Sequence, residues 1–215
     1  MLGATLLIGV MMGWVVKERQ QSAREREIGR QLAENGWSVT FCAIYDRRPY
    51  HNEYDERAWW IGLTEAMLGQ RISCLNTPYA SIEDFQKVAQ LTRLKFLAIG
   101  KSEIQDLSPL ANCSQLTALC LHESYVQELT PLVGLKQLDS LILKRARVQD
   151  LTPIVNHANL RWLDFSGTQI TDISSLKCMT RLWHLNVCDS GVSREEVEAL
   201  QSSVPSRAIE HDSVH

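Results

Sequence analysis

The sequence predicts an α/β fold: a right-handed solenoid of short parallel strands backed by short helices or 3₁₀ turns, preceded by a transmembrane helix. Three observations predict it. An apolar template of 22 residues recurs in one register from about residue 72 onward. A fifteen-residue stretch near the start, Leu2 to Val16, carries no charge. A helix-start signature, Ser193-Arg194-Glu195-Glu196, follows the last repeat and closes it.

The repeat is the strongest signal. Leu94, Leu116, Leu138, Leu160 and Leu182 stand 22 residues apart. From the first four, apolar residues follow at offsets 3, 5, 10, 13 and 16, as in Leu97, Ile99, Ile104, Leu107 and Leu110. One period earlier lies a degenerate copy with Ile72, Leu75, Thr77, Ile82, Phe85 and Val88. One period later only Leu185, Val187 and Val192 fit. The L-x-L core of each unit alternates as a short strand does, with the two leucine-type side chains facing inward. A single unit of this size cannot bury its own apolar side, so the units must stack.

The rest of each unit reads as a turn into a short helix. Ser108-Pro109, Thr130-Pro131 and Thr152-Pro153 occupy equivalent places and are expected as helix caps followed by proline, where the missing N–H costs nothing. Asp84, Asp106, Glu128, Asp150 and Asp172 precede those places and are expected to accept turn N–H groups. At the end of the array, Ser193 and Glu196 form a capping box, Val197 and Leu200 cover the last repeat, and Pro205 stops the helix. At its start, the β-rich Trp37 to Tyr45 and the amphipathic Arg57 to Gly69, with Trp59 and Trp60, are expected to form an entry cap.

Ahead of the repeats, the uncharged run would reach about 22 Å as a helix, against ~30 Å of bilayer hydrocarbon. With Met1 added and Lys17 reaching to the interface, a membrane span becomes feasible. Lys17 to Asn35 is charged on all sides and reads as a solvated helical spacer ended by Asn35-Gly36. Lys17, Arg19, Arg24 and Arg26 follow the apolar run, which places the repeats in the cytoplasm unless basic residues lie upstream of Met1. Gly9 and Gly13 form a GxxxG, a motif that lets two membrane helices approach as a homodimer. The domains expected are thus 1–16 membrane anchor, 17–36 charged juxtamembrane helix, 37–71 N-terminal cap, 72–192 repeats and 193–215 C-terminal cap helix and tail.

Composition narrows the function. A net charge of −3 with no basic stripe in the repeats excludes general attraction for nucleic acid. Six cysteines, scattered without CxxC pairs, read as buried apolar residues and not as a disulfide framework or metal site. His122 and His184 lie three strands apart, about 14 Å, too far to share a metal. His184 and Cys188 are two strand steps apart, about 7 Å, too far for a nucleophile and its base. No phosphate loop, Ser-His-Asp set or paired carboxylates occurs, so neither an enzyme nor a cofactor is expected.

The pattern LxxLxLxx(S/T)xIxDLxPL resembles the 22-residue leucine-rich-repeat class of internalin-like bacterial proteins, over roughly Ile72 to Leu200. Ser102, Ser124, Ala146, Thr168 and Ser190 stand where that class often has an asparagine that ties turns together, which weakens the step at Ala146. The order of apolar run, charged helix, GWSVTF strand, WW…LG helix and repeats also looks like the small membrane-anchored leucine-rich-repeat proteins of planctomycete-type bacteria. That resemblance implies an architecture and no defined activity.

The candidate site follows from strand alternation. Residues between and beside the inward leucines point to the concave face. They include Phe96, His122, Lys144, Trp162, Asp164, His184 and Asn186. Trp162 is expected next to His184, and Asp164 next to Asn186. An aromatic ringed by polar groups has the composition of a binding hot spot. The function expected is a membrane-tethered module that binds a protein through this face. The alternative is a structural envelope component with no ligand there.

Overall fold

The computed structural model describes residues 2–41, 72–203 and 208–211. The chain divides into two compact units, Met1–Cys74 and Leu75–His215.

In the first unit, helix α1 runs unbroken over Leu2–Glu34, across the expected boundary between anchor and spacer. Two expectations are corrected here. Among the described residues no helix is long and apolar enough to cross a membrane, because the uncharged run ends at Val16 and α1 continues into charge. Nor is the charged part solvated all round. Ser22, Glu25, Ile28, Gly29 and Leu32 are buried, and steps of three and four residues put them on one helix face. Strand β1 (Ser38–Phe41) lies close to that face. A Cβ on Gly29 would come within 2.8 Å of Ile72 Cδ1 and 3.4 Å of Val39 Cγ1, so glycine is what permits this approach.

The helix stop at Asn35-Gly36 is as expected. Gly36 takes a φ of +86°, Gly36 N donates to Ala33 O at 3.1 Å, and Trp37 N donates to Leu32 O at 3.0 Å. This is a Schellman closure, with Leu32 and Trp37 both buried beside it. Of the expected entry cap, the part from Cys42 to Arg71, with its helix over Arg57 to Gly69, lies outside the described residues.

The second unit is the solenoid. After the end of β2 (Ile72–Thr77), whose first three residues belong to the first unit, and the short helix α2 (Ile82–Val88) come β3 (Phe96–Ile99), β4 (Ala118–Leu121), β5 (Ser140–Ile142), β6 (Trp162–Asp164) and β7 (His184–Asn186). Neighbours in the chain are neighbours in the sheet, and pairing from β3 to β7 is parallel with partners 22 residues apart, as in Leu97↔Leu119 and Leu163↔Leu185. Leu97, Leu119, Leu141, Leu163 and Leu185 form one column, each exposed by 1 % or less. Ser108–Asn112, Thr130–Gly134, Thr152–Ile154 and Ser174–Cys178 form 3₁₀ turns on the other side. A 22-residue unit leaves only a turn's length there, and α2 of the first copy is the one short α-helix among the described repeats.

The serine and threonine caps are corrected. Leu107, Leu129 and Leu151 occupy the cap positions, with no side-chain capping bond. At three of the four turns an aspartate two residues before the turn does the work instead. Ser108 N donates to Asp106 Oδ1, Thr152 N to Asp150 Oδ1 and Ser174 N to Asp172 Oδ1, all at 2.8 Å. These bonds hold the three carboxyls below their ordinary pKa, the hydroxyl of Ser108, Thr152 or Ser174 contributing most.

The strands turn out through a left-handed residue at one repeated place: Lys101, Glu123, Arg145, Gly167 and Asp189 all have positive φ. Only one is glycine, although such a conformation costs other residues ~1 kcal/mol or more. The conformation aims an N–H at the next repeat. Glu123 N donates to Lys144 O (2.8 Å), Arg145 N to Ser166 O (2.7 Å) and Gly167 N to Cys188 O (2.8 Å).

His157 breaks the apolar rule. The equivalent residues Leu91, Cys113, Leu135 and Met179 are all apolar and buried, and so is the place His157 fills. Its Nδ1 lies 3.0 Å from Ile154 O and its Nε2 3.0 Å from Leu132 O, the latter in the preceding repeat. A neutral imidazole carries one N–H and can donate to only one of these carbonyls. Both carbonyls already accept backbone N–H groups, from His157 and Leu135.

The C-terminal capping box is present: Glu196 N donates to Ser193 Oγ and Ser193 N to Glu196 Oε2, each at 3.2 Å. Helix α3 (Arg194–Ser203) buries Val197 and Leu200. The expected tail is corrected, since Ala208–Glu210 forms an eighth strand, β8, parallel to β7 with Leu185↔Ile209 and Asn186↔Glu210.

Two stability outcomes follow. Leu141→Ala, in the middle of the column, is expected to cost ~2–5 kcal/mol in thermal or denaturant unfolding, and Lys144→Ala in the turn after the same strand less than about 0.5. Burial pushes the His157 pKa down, outweighing its hydrogen bonds to Leu132 O and Ile154 O. A base harder to protonate when folded loses native stability as pH falls below about 6.5. The depressed aspartates act lower, their contribution being present above about pH 3.9 and lost as pH falls further. His157→Leu should therefore flatten the melting temperature between about pH 6.5 and 5, and Asp106→Asn with Asp150→Asn and Asp172→Asn should flatten it only below about pH 4. Unchanged pH profiles in both variants would contradict these assignments.

Candidate interaction surface

Between and beside the buried leucines, each strand of the solenoid sends its remaining side chains to the concave face. The burial alternation of β3 and β4, half-buried then buried, records this directly. Because pairing is in register, the face consists of columns running along the solenoid. One holds Phe96, Ala118, Ser140, Trp162 and His184, and the next Ala98, Cys120, Ile142, Asp164, Asn186 and Glu210.

The expected pair at the C-terminal end is in place. Trp162 and His184 are partners across β6 and β7, and their rings stack with centroids 3.6 Å apart at 24°. His184 differs from expectation in being only 7 % exposed. It is enclosed between Trp162 and β8, with Glu210 Oε1 at 3.8 Å from its Nε2, so it props the indole instead of presenting itself. Trp162 is half-buried. A second indole, Trp183, meets it edge-on at 5.7 Å and is 51 % exposed. Sequence reading passed over Trp183, which precedes the strand and lies outside the alternation. Its signal was the repeat itself: Lys95, Thr117, Asp139 and Arg161 hold the equivalent places, and a tryptophan among polar residues stands out.

The polar neighbours are partly engaged. Asp164 Oδ1 accepts from Ser166 N at 2.9 Å and Asn186 Oδ1 from Cys188 N at 3.0 Å, so both side chains brace the turn that follows their strand. Phe96 is half-buried four strands from His184, and Lys144 is exposed in the turn after β5. His122 Nε2 lies 3.2 Å from Glu123 Oε1. Glu123 itself is a hub, with Arg145 Nη1 at 3.1 Å and Lys101 Nζ at 3.8 Å. The Arg145 hydrogen bond in particular holds its carboxyl below the ordinary range. The candidate residues therefore fall into two sets, the Trp162 group and the His122–Glu123 edge, with Phe96 and Lys144 apart from both.

Chemically the Trp162 group can stack and accept hydrogen bonds. Burial raises the pKa of the Cys120 thiol, so it is held protonated and poorly nucleophilic. Among the described residues no group of three or more His, Cys, Asp or Glu side chains converges as a metal site would require.

The solenoid is similar in fold to solved structures. An internalin of Listeria monocytogenes aligns over 66 % of this chain and 44 % of its own, at 24 % identity and a TM-score of 0.58. The fold is that of the internalin-like leucine-rich-repeat proteins. A second internalin of the same organism aligns over 66 % of this chain and 74 % of its own, at 20 % identity and a TM-score of 0.53. A leucine-rich-repeat protein of Leptospira interrogans aligns over 58 % and 33 %, at 23 % identity and a TM-score of 0.53. The chain thus spans less than half the length of two of these three proteins. No protein-family model and no curated protein matches it.

Proposed function

We propose that this leucine-rich-repeat solenoid is a protein-interaction module that grips its partner through the concave face, with Trp162 as the principal contact. The observation that carries this is the aromatic cluster at the C-terminal end of the sheet: Trp162 stacked on His184, with the half-exposed Trp183 set against it. A tryptophan already fixed by a buried ring loses little freedom on binding, so more of its contact energy reaches the affinity. Leucine-rich-repeat solenoids in general offer such extended concave surfaces to protein partners.

We also propose contact with a membrane through residues 1–16. Its support is the uncharged sequence from Leu2 to Val16.

Crosslinking from native membranes, with wild type, Trp162→Ala and Lys177→Ala run together, tests the first proposal. The partner is expected with wild type and Lys177→Ala and not with Trp162→Ala. In titrations with that partner, Trp162→Ala should weaken binding by ~2 kcal/mol or more and Lys177→Ala by less than 1. The same captured set with all three would favour a structural envelope component with no ligand on this face. For the second proposal, full-length protein should pellet with membranes after gentle lysis, and a chain starting near Gln31 should not. Full recovery in the soluble fraction would sink it.

A further inference from the structure

The concave face changes character along the solenoid, and the change points to the chemistry of its partner. The middle column runs Ala98, Cys120 and Ile142 and then becomes Asp164, Asn186 and Glu210. Beside it, Phe96, Ala118 and Ser140 give way to Trp162 and His184. Strands β3 to β5 therefore offer a largely apolar floor, its side chains small apart from Phe96 and Ile142. Strands β6 to β8 offer an indole and carboxylates.

The indole is covered unequally. His184 occupies one face at 3.6 Å. Its partner on the other side is Ser140, too small to cover an indole, so the second face opens over the apolar floor. An indole face attracts cations through its quadrupole. The fixed charges agree with that preference. Asp164 stands two residues along the same strand, in no ion pair among the described residues and with only Oδ1 used by Ser166 N. Glu210 is exposed, with a ring nitrogen of His184 3.8 Å from its carboxylate. The arginines nearby are already matched, Arg161 to Asp139 and Arg145 to Glu123. Lys144 is in no ion pair among the described residues, but it lies beyond the end of β5, in the turn that follows it.

We infer that the partner presents a segment of apolar side chains followed by an arginine or lysine. The apolar part lies on Ala98, Ala118, Cys120 and Ile142, and the cation covers the open face of Trp162 with Asp164 beside it. Adjacent strands are about 4.8 Å apart and an extended chain advances about 3.3 Å per residue. One strand spacing is thus about one and a half residues of an extended chain, whose side chains alternate between faces, so the cation follows the last apolar side chain by one or two residues. This inference rests on the concave-face reading proposed above and specifies its ligand.

The test is selection of a random peptide library, displayed on phage, against the full chain. Enriched peptides are expected to carry two or more apolar residues followed within two positions by Arg or Lys. Synthesised singly, they should bind Trp162→Ala and Asp164→Asn at least tenfold more weakly than wild type. Asp164→Asn keeps an amide oxygen to accept from Ser166 N, so it removes charge while preserving the turn, and it decides the matter if Trp162→Ala folds poorly. Enriched peptides that depend on Trp162 but are neutral or acidic, or are indifferent to Asp164→Asn, would overturn the cationic ligand and leave the concave-face reading standing. Peptides indifferent to both substitutions, or no enrichment over an unrelated protein, would overturn both.

Discussion

The stacking of one repeat's leucines on the next is the interaction from which the other features follow. A strand of three or four residues with a 3₁₀ turn behind it has nothing of its own to bury Leu141 against; Leu119 and Leu163 on the flanking strands supply the missing walls. Each fully buried leucine side chain contributes about 1.5–3 kcal/mol relative to exposure, so no unit holds without its neighbours. Stacking in turn requires a fixed period. A period of 22 keeps the partners from β3 to β7 in register, and register is what brings Trp162 and His184 together at one end of the face, where β8 adds Glu210.

Maintaining that period sets the demands on the turns. Each strand must leave the sheet at the same angle, and the left-handed residue at Lys101, Glu123, Arg145, Gly167 and Asp189 sets it. The strain is tolerated because the conformation directs an N–H to the following repeat, replacing the bond a strand would otherwise make. On the opposite side an aspartate fixes the start of three of the 3₁₀ turns. His157 adds a different link, a buried ring set between the carbonyls of Leu132 and Ile154 and donating to one of them.

The periodic part of this molecule was legible from residue order, since burial imposes the same apolar residue at every twenty-second place. Strand register, the capping box at Ser193 and the neighbours Trp162 and His184 all followed from it. What escaped was aperiodic. Strand β8 pairs His184 with Ala208 at a spacing of 24, outside the repeat, and its three residues carry too little pattern to read. Because β8 was missed, so was the enclosure of His184. The buried face of α1 was obscured by composition: Ser22 and Glu25 are polar, and only their shared face with Ile28, Gly29 and Leu32 marks them as interior. The turn caps were misplaced by one residue because Ser-Pro and Thr-Pro look alike at a cap and just after one.

The central claim is that stacking makes the array one cooperative body, rigid enough to present a fixed concave face. Native-state hydrogen exchange of the strand amides measures this most directly. The account predicts that the N–H groups of Leu119, Leu141, Leu163 and Leu185 open with one shared free energy, equal to that of global unfolding, and lose protection together on Leu141→Ala. Separate opening free energies that fall off strand by strand toward β7, with Leu141→Ala affecting its own strand alone, would contradict it.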